Sequence, residues 1–486
     1  MALASRQKEI KLLNKLFLSR KAELLAIFGR RRVGKTFLVR AFFEKKKCVF
    51  FDAAGTRKGA MKDQIFNFTQ RMADVFLAGI MPQVKNSWNE TFKLLNDLIL
   101  KVPKNKKVVI FLDELPWMAT KRAKLLDAID YYWNQYWSKE SRIKLIVCGS
   151  SASWIINKII NNKGGLYNRV TETIHLKPFN LFETSEYLAA NNVRLNNKQI
   201  TELYMITGGV PFYLSKIEAG RSATQAIEAL AFDSTSLLFN EFNALFESLF
   251  ENADAYIEII KAIAKHHEGM GQEALFKALK KTSKGKTGLK RLKDLEDAGF
   301  IMSFIPHFHI KRGVFYRVSD EYSLFYLYWI EPLKNTKMAG ALKKGYWKSV
   351  TTTPKWFSWS GYAFETICYK HLNQISDVLD LSPTAIPNSW RYAPGPEKEG
   401  AQIDLLFDRD DDSITLCEIK FTKKAFEITS DYAKKLKRKV AVFKQVTGTQ
   451  KQLFVAIISA KGLKKNKYAT ELIDQIVVLD DLFTEA

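Results

Sequence analysis

One stretch restricts the possible folds more than any other: Ile27-Phe28-Gly29-Arg30-Arg31-Arg32-Val33-Gly34-Lys35-Thr36-Phe37-Leu38. An apolar run, Leu24 to Phe28, leads into it, and a helical pattern, Thr36 to Phe43, leaves it. Gly-x-x-x-x-Gly-Lys-Thr between a strand and a helix is the pattern of a phosphate-binding loop. Gly29 and Gly34 let the backbone curl so that successive N–H groups face phosphate oxygens. The N-terminus of the following helix adds partial positive charge. Lys35 is placed to reach the terminal phosphates of ATP, and the Thr36 hydroxyl to ligate Mg2+. Arg30, Arg31, Arg32, Val33 and Phe37 complete the expected ATP-binding stretch, the three arginines adding positive charge around the phosphates.

The next segments read as parts of the same machine. Val108-Val109-Ile110-Phe111-Leu112-Asp113-Glu114 is an apolar run ending in two carboxylates. A parallel strand covered on both faces needs such a run. Asp113 would hold the metal through water, and Glu114 would orient or deprotonate the attacking water. Leu145 to Ser151 is another buried strand, ending in Ser150 and Ser151, either of which can sense the terminal phosphate or begin a loop. Arg169, just before the strand-like Thr173 to Leu176, is a candidate arginine finger, acting in its own site or in a neighbour's. Arg6 to Phe17 reads as an amphipathic helix with Arg6 and Glu9 on its polar side. Alternating strands and helices predict a doubly wound parallel sheet with ligand at the strands' C-terminal ends. Leu181 to Leu188 and Lys198 to Ile206 read as lid helices, ending at Thr207-Gly208-Gly209-Val210-Pro211.

The GRRRVGKT loop, the FLDEL and LIVCGSS strands, Tyr167-Asn168-Arg169 and the Gly-Gly-Val-Pro-Phe-Tyr-Leu turn together resemble the archaeal-type ATPase family. That family belongs to the signal-transduction (STAND) branch of the AAA+ class. The resemblance implies ATP binding with slow or regulated hydrolysis, and a turn at Pro211 that lies near the nucleotide. It also implies a winged helix and a further C-terminal domain. The chain departs from the commoner pattern at Tyr167-Asn168-Arg169, where Gly usually precedes the Arg.

Downstream, Ala255 to Lys265, Gly271 to Lys280 and Thr287 to Ala298 read as three helices. Phe300 to Pro306 and Val314 to Val318 would form a β-wing around Lys311-Arg312-Gly313. This is helix-turn-helix plus hairpin. Lys286, Lys290, Arg291 and Lys293 on or beside the third helix are candidate DNA-phosphate contacts. Winged helices also serve as protein-packing modules, and that alternative stands. Asp320 to Ile330 reads as a buried connecting helix, and the polar, basic Lys334 to Pro354 as a boundary.

The C-terminal part carries a second constellation. Glu365 lies on a helical stretch, Asp404 in the strand-like Gln402 to Phe407, and Glu418 and Lys420 in Ile414 to Lys420, after an Asp-rich turn. Side chains at i and i+2 of a strand share a face, so Glu418 and Lys420 aim together. Asp404 on the paired strand can meet Glu418 across the ladder. This order resembles the PD-(D/E)xK nuclease core. Asp404 and Glu418, with Glu365, would hold Mg2+, and Lys420 would position water or stabilise developing charge. Asp431 to Lys439 reads as a basic helix suited to a phosphodiester.

The expected architecture is therefore α/β: a P-loop AAA+ parallel sheet (1–178), a helical lid (179–250), a winged helix (251–333), a linker (334–354) and a restriction-endonuclease-like domain (355–486). At 486 residues the chain is too long for one core. A hydrophobic fraction of 47% with 26% charged is globular, not disordered. A net charge of +24 favours an anionic partner, DNA above a membrane surface. Cys48, Cys148, Cys368 and Cys417 are isolated, lack zinc spacing and read as buried thiols. Neither a signal peptide nor a spanning run is visible, so a cytoplasmic location is expected. The sequence predicts an ATP-regulated, Mg2+-dependent DNA nuclease, with a homo-oligomer and a trigger protein or ligand among its partners. The rival is a nucleotide-dependent switch whose nuclease fold does not cut; a ligand-sensing ATPase without a nucleic-acid role is the third reading.

Overall fold

The apolar run ahead of the glycine loop becomes β1 (Glu23–Phe28), buried from Leu24 onward. In the computed structural model, which describes residues 5–161, 168–280, 284–306, 313–336, 344–392 and 400–485, β1 sits inside a parallel sheet. Gly164, Gly165, Leu166, Tyr167, Lys281, Lys311 and Arg312 lie outside the described residues. The other strands are β2 (Cys48–Ala54), β3 (Lys107–Asp113), β4 (Ile143–Gly149) and β5 (Glu172–His175), in the order β2-β3-β4-β1-β5. Every neighbouring pair is parallel. Alternate side chains of β1 supply the two faces. Leu24, Ala26 and Phe28 join a core with Phe68 and Trp88, and Leu25 and Ile27 join one with Leu13, Leu38 and Phe42. A sheet covered on both faces is what its unbroken apolar strands require. The register sets Phe28 beside Gly149 and Leu112 beside Val147, so β1, β3 and β4 end together.

The chain divides into two compact units, Met1–Pro178 and Phe179–Ala486. The second begins with helices Leu181–Ala190, Asn197–Thr207, Ala223–Ala231 and Leu237–Leu249. Helices Ala253–Ile263, Gln272–Ala278 and Gly285–Asp297 follow, with a small antiparallel sheet of β6 (Met270–Gly271), β7 (Ile301–Phe304) and β8 (Phe315–Val318), ordered β6-β8-β7. The aromatic stretch after it is an α-helix, Glu321–Phe325, that widens into a π-turn, Tyr326–Ile330. Glu321 is 1% exposed and its carboxylate meets Lys370 Nζ at 2.6 Å.

The polar segment 334–354 contains more than a linker. Its helix Tyr346–Val350 buries Trp347 completely, stacked on Phe232 with ring centroids 4.9 Å apart. The Trp347 amide donates to Glu228. One large aromatic anchors a stretch whose average composition is polar.

Helices Pro354–Lys370 and Leu372–Val378 then lead to a second five-stranded sheet. Its strands are β9 (Ile386–Tyr392), β10 (Ala401–Asp408), β11 (Ser413–Lys420), β12 (Gln452–Ser459) and β13 (Gln475–Val478), ordered β13-β12-β11-β10-β9. β9, β10 and β11 are antiparallel neighbours, while β11, β12 and β13 run parallel. Helix Ser430–Thr447 crosses between β11 and β12. Cys148, Cys368 and Cys417 are buried and Cys48 is half-buried, all as free thiols. Among the described residues no helix is long and apolar enough to cross a membrane.

Candidate functional site

In the first unit the glycine loop closes over the ends of β1, β3 and β4. Gly29 has φ +146, and a Cβ there would stand 2.2 Å from the Leu176 carbonyl oxygen. Only glycine permits that approach. Lys35 is buried and its ammonium donates to the carbonyls of Gly29 (2.9 Å) and Arg30 (3.0 Å) and to Ser150 Oγ (3.0 Å). The Thr36 hydroxyl donates to Asp113 Oδ2 at 2.7 Å. These paired oxygens suit a hard cation, which favours hydroxyl and carboxylate ligands. Glu114 follows in the left-handed region, φ 47, which turns its carboxylate back to β4. There it accepts from the Ser150 amide (3.0 Å) and from the Ser150 hydroxyl. Ser150 therefore touches both Lys35 and Glu114.

The remaining residues of the loop differ in setting. Val33 is buried in the core, Arg30 is buried, Arg31 and Arg32 are partly covered, and Phe37 is 41% exposed. Arg169 is exposed in the turn that precedes β5. Pro211 starts a short helix, Pro211–Leu214, in the second unit. Arg6 is not on a polar face. It is buried, and its guanidinium donates to the carbonyls of Val33 (3.4 Å) and Lys177 (2.7 Å), bracing the loop from behind.

In the second unit a cluster of charges gathers at the end of β10 and β11. The ladder pairs Leu405 with Cys417, and Asp404 and Glu418 are the next residues outward. A register shift between Ile403 and Leu406 on the β9 side sits at Asp404, where a bulge can re-aim a side chain. Lys420 Nζ lies 3.1 Å from Glu418 Oε2 and 3.7 Å from Asp404 Oδ2. Asp404 Oδ2 also accepts from the Ile419 amide at 3.1 Å. Burial and the neighbouring Glu418 raise the Asp404 carboxyl above its ordinary value. Burial also disfavours the Glu418 charge, but Lys420 and Lys439 outweigh it and hold that carboxyl low. Lys420 is raised in turn: the two carboxylates overcome its burial. Glu365, on helix Pro354–Lys370, is pushed up to about 8 by burial and then by Asp404.

Among the described residues no group of three or more His, Cys, Asp and Glu converges to hold a metal by itself. Asp404 and Glu418 form a two-carboxylate set. Mg2+ is commonly bound by one or two carboxylates, with water and substrate phosphate supplying the rest. The cluster therefore fits such a cation in the presence of a phosphodiester.

Residues 3–217 match the model of an ATPase domain predominantly from Archaea. The chain belongs to the archaeal-type ATPase family. The first unit of this archaeal-type ATPase is thus a nucleotide-binding domain. An uncharacterized protein of Methanocaldococcus jannaschii is 25% identical over 422 residues, covering 86% of this chain and 87% of its own. An uncharacterized ATP-binding protein of the same organism is 44% identical over 43 residues, 9% of this chain and 73% of its own. A solved structure, the Walker-type ATPase of Pyrococcus abyssi, aligns with 66% of this chain and 95% of its own at 18% identity, with a TM-score of 0.46.

Two groups of residues in this archaeal-type ATPase differ from their reading in the sequence. Tyr432 and Lys439, on helix Ser430–Thr447, both reach Glu418: the Tyr432 hydroxyl at 2.8 Å and Lys439 Nζ at 2.5 Å. Lys439 stood in a basic run with no hint of a buried acceptor. Their spacing of seven, two helical turns, was the available signal. On helix Gly285–Asp297, Lys286, Lys290 and Lys293 are exposed. Lys290 is paired with Asp294 and Lys293 with Asp297, each at 2.9 Å, and Arg291 lies over the Tyr256 ring. The charge that this helix offers to phosphate is smaller than its lysine count suggests.

Proposed function

We propose that this archaeal-type ATPase uses ATP binding and hydrolysis to regulate a Mg2+-dependent nuclease acting on DNA. The observation that carries the reading is the meeting of Asp404, Glu418 and Lys420, with Lys420 within 3.7 Å of both carboxylates, where β11 ends beside β10. On this reading the small three-helix and hairpin module is a winged helix, and the module around β9 to β13 a restriction-endonuclease-like fold. Lys35 and the loop amides bind the ATP phosphates, while Thr36 and Asp113 hold Mg2+. Glu114 takes the proton of the attacking water once it leaves Ser150. Arg169 supplies charge to the terminal phosphate. Downstream, Asp404 and Glu418, with Glu365 at their side, hold the second cation, and Lys420 orients the water or meets the charge that develops on phosphorus. Bound metal supplies Lewis-acid polarisation of the phosphoryl oxygen.

The test is incubation of plasmid and linear DNA with Mg2+, with and without ATP, for the native chain and Lys420→Ala. Cleavage by the native chain alone is the expected result. Equal inactivity of both sinks the nuclease reading. One observation favours a second reading, a nucleotide-dependent switch with a silent nuclease fold: Lys420 and Lys439 already neutralise Glu418. That reading expects nucleotide-sensitive DNA binding without strand breaks.

A further inference from the structure

A cavity of about 520 Å3 lies in the second unit beside Glu365, where Ala253–Ile263, β8, the aromatic connecting helix and Pro354–Lys370 come together. Its volume falls in the range of small-ligand sites, about 300–1,000 Å3. Its lining is neither plainly apolar nor plainly charged. Tyr328 and Trp359 form an aromatic wall. At the rim, His267 and Tyr362 stack with ring centroids 4.3 Å apart and planes 4° from parallel. Tyr362 is nonetheless 41% exposed, so one aromatic surface of this pair stays open. Lys265 is an exposed cation at the same rim. Arg317 comes from β8, sandwiched between Phe304 (4.2 Å) and Tyr369 (4.0 Å), with its guanidinium donating to Ser389 Oγ at 3.2 Å. Glu331 is paired with Lys261 at 2.5 Å, so the cavity also offers a fixed acceptor.

Flat rings, a cation and a carboxylate acceptor in one concave site fit a nucleobase carrying a phosphate. Stacking on aromatic side chains, with cations along the backbone, is how unpaired nucleotides are held. A lipid chain needs no acceptor, and an acidic peptide needs no stacking surface. We propose that this cavity receives one unpaired nucleotide of a single strand, its base against Tyr362 and its phosphate at Lys265. The inference rests on the nuclease reading, because Glu365 lines the cavity and its carboxyl is raised in part by the charge of Asp404. It narrows the substrate to DNA with a splayed or single-stranded nucleotide beside the scissile bond. A base inside a duplex has both faces covered by its neighbours and cannot enter.

The same chemistry is offered by a free nucleotide, so the experiment has two arms. The full chain is titrated, without divalent metal and with excess ADP filling the phosphate loop. One probe is a single-stranded oligonucleotide containing 2-aminopurine; the other is the free 2-aminopurine deoxynucleoside monophosphate. The expected result is quenching of the strand probe, with little response from the free nucleotide or from the same strand in duplex. Tyr362→Ala weakens strand binding about tenfold or more and removes the quenching, and Tyr362→Trp restores both. Lys265→Ala weakens binding severalfold and flattens its salt dependence. Unchanged melting of Tyr362→Ala and Lys265→Ala excludes unfolding as the cause. Strand binding by Tyr362→Ala equal to the native chain, or equal affinity for the free nucleotide, overturns the proposal. A companion incubation with Mg2+ compares the native chain with Lys420→Ala: quenching without cleavage by the native chain defeats only the nuclease reading, and cleavage without quenching defeats only the cavity's role.

Discussion

Ser150 decides how Lys35 meets Glu114. Its hydroxyl accepts from the ammonium and donates to the carboxylate, so both groups are pre-positioned through one small side chain. Replacing Glu114, the proposed base, is the sharper test of the pair. Glu114→Gln is expected to keep ATP affinity within a few-fold while hydrolysis falls roughly 10²- to 10⁴-fold. Ser150→Ala should give a smaller loss of turnover with binding intact. Steady-state phosphate release and nucleotide titration separate the two effects. Gly29→Ala acts differently. Its Cβ meets a backbone oxygen that cannot yield, and the loss expected is of nucleotide binding and of first-unit stability together, seen by calorimetry with and without ATP. Lys35, Thr36, Asp113 and Glu114 were legible in the sequence because loop spacing and strand ends fix them locally. Arg6, Tyr432 and Lys439 were not, since each meets its partner only after distant segments fold together.

Strands declared themselves better than the stretches between them. β1 and β3 carry unbroken apolar runs, Leu24 to Phe28 and Val108 to Leu112, and β4 carries Leu145 to Cys148 after Lys144, each buried on both faces of the sheet. β9, with mixed composition, and the four-residue β13 gave no such signal. Helix Tyr346–Val350 was concealed in a basic segment because one indole carries its burial. His371, between Pro354–Lys370 and Leu372–Val378, shows a further cost hidden from the sequence. It is fully buried; its Nδ1–H donates to the Ile367 carbonyl at 2.8 Å, and Nε2 accepts from the Leu181 amide at 3.0 Å. Burial depresses its pKa from 6.5 to about 4. Between those values the unfolded imidazole binds a proton that the folded one refuses. Stability of the second unit therefore falls as pH drops through that window, by about 3 kcal/mol, and levels off below it. Urea midpoints of the full chain, followed on second-unit tryptophans from pH 7 to about pH 4, measure the slope. His371→Asn should be less stable at neutral pH and flatter across the window.

The excess of cations, +24 over 486 residues, sets the terms on which this chain meets an anion. If four phosphates are neutralised, affinity should fall roughly fiftyfold for single-stranded DNA and roughly 150-fold for duplex between about 50 and about 200 mM salt, and less steeply once Lys439 or Lys265 is removed. A salt-independent affinity, read by fluorescence anisotropy, would leave the charge without a nucleic-acid role. The two compact units can also be followed separately, and the cysteines provide the means. Burial pushes the thiols of Cys148, Cys368 and Cys417 well up, while Cys48 is only half-buried. An alkylating reagent applied to the native chain should mark Cys48 first. Cys148 reacts when the first sheet opens, and Cys368 and Cys417 when the second does. Four thiols spread over two cores thus act as time stamps: masses added during denaturation record which unit gave way, and in what order.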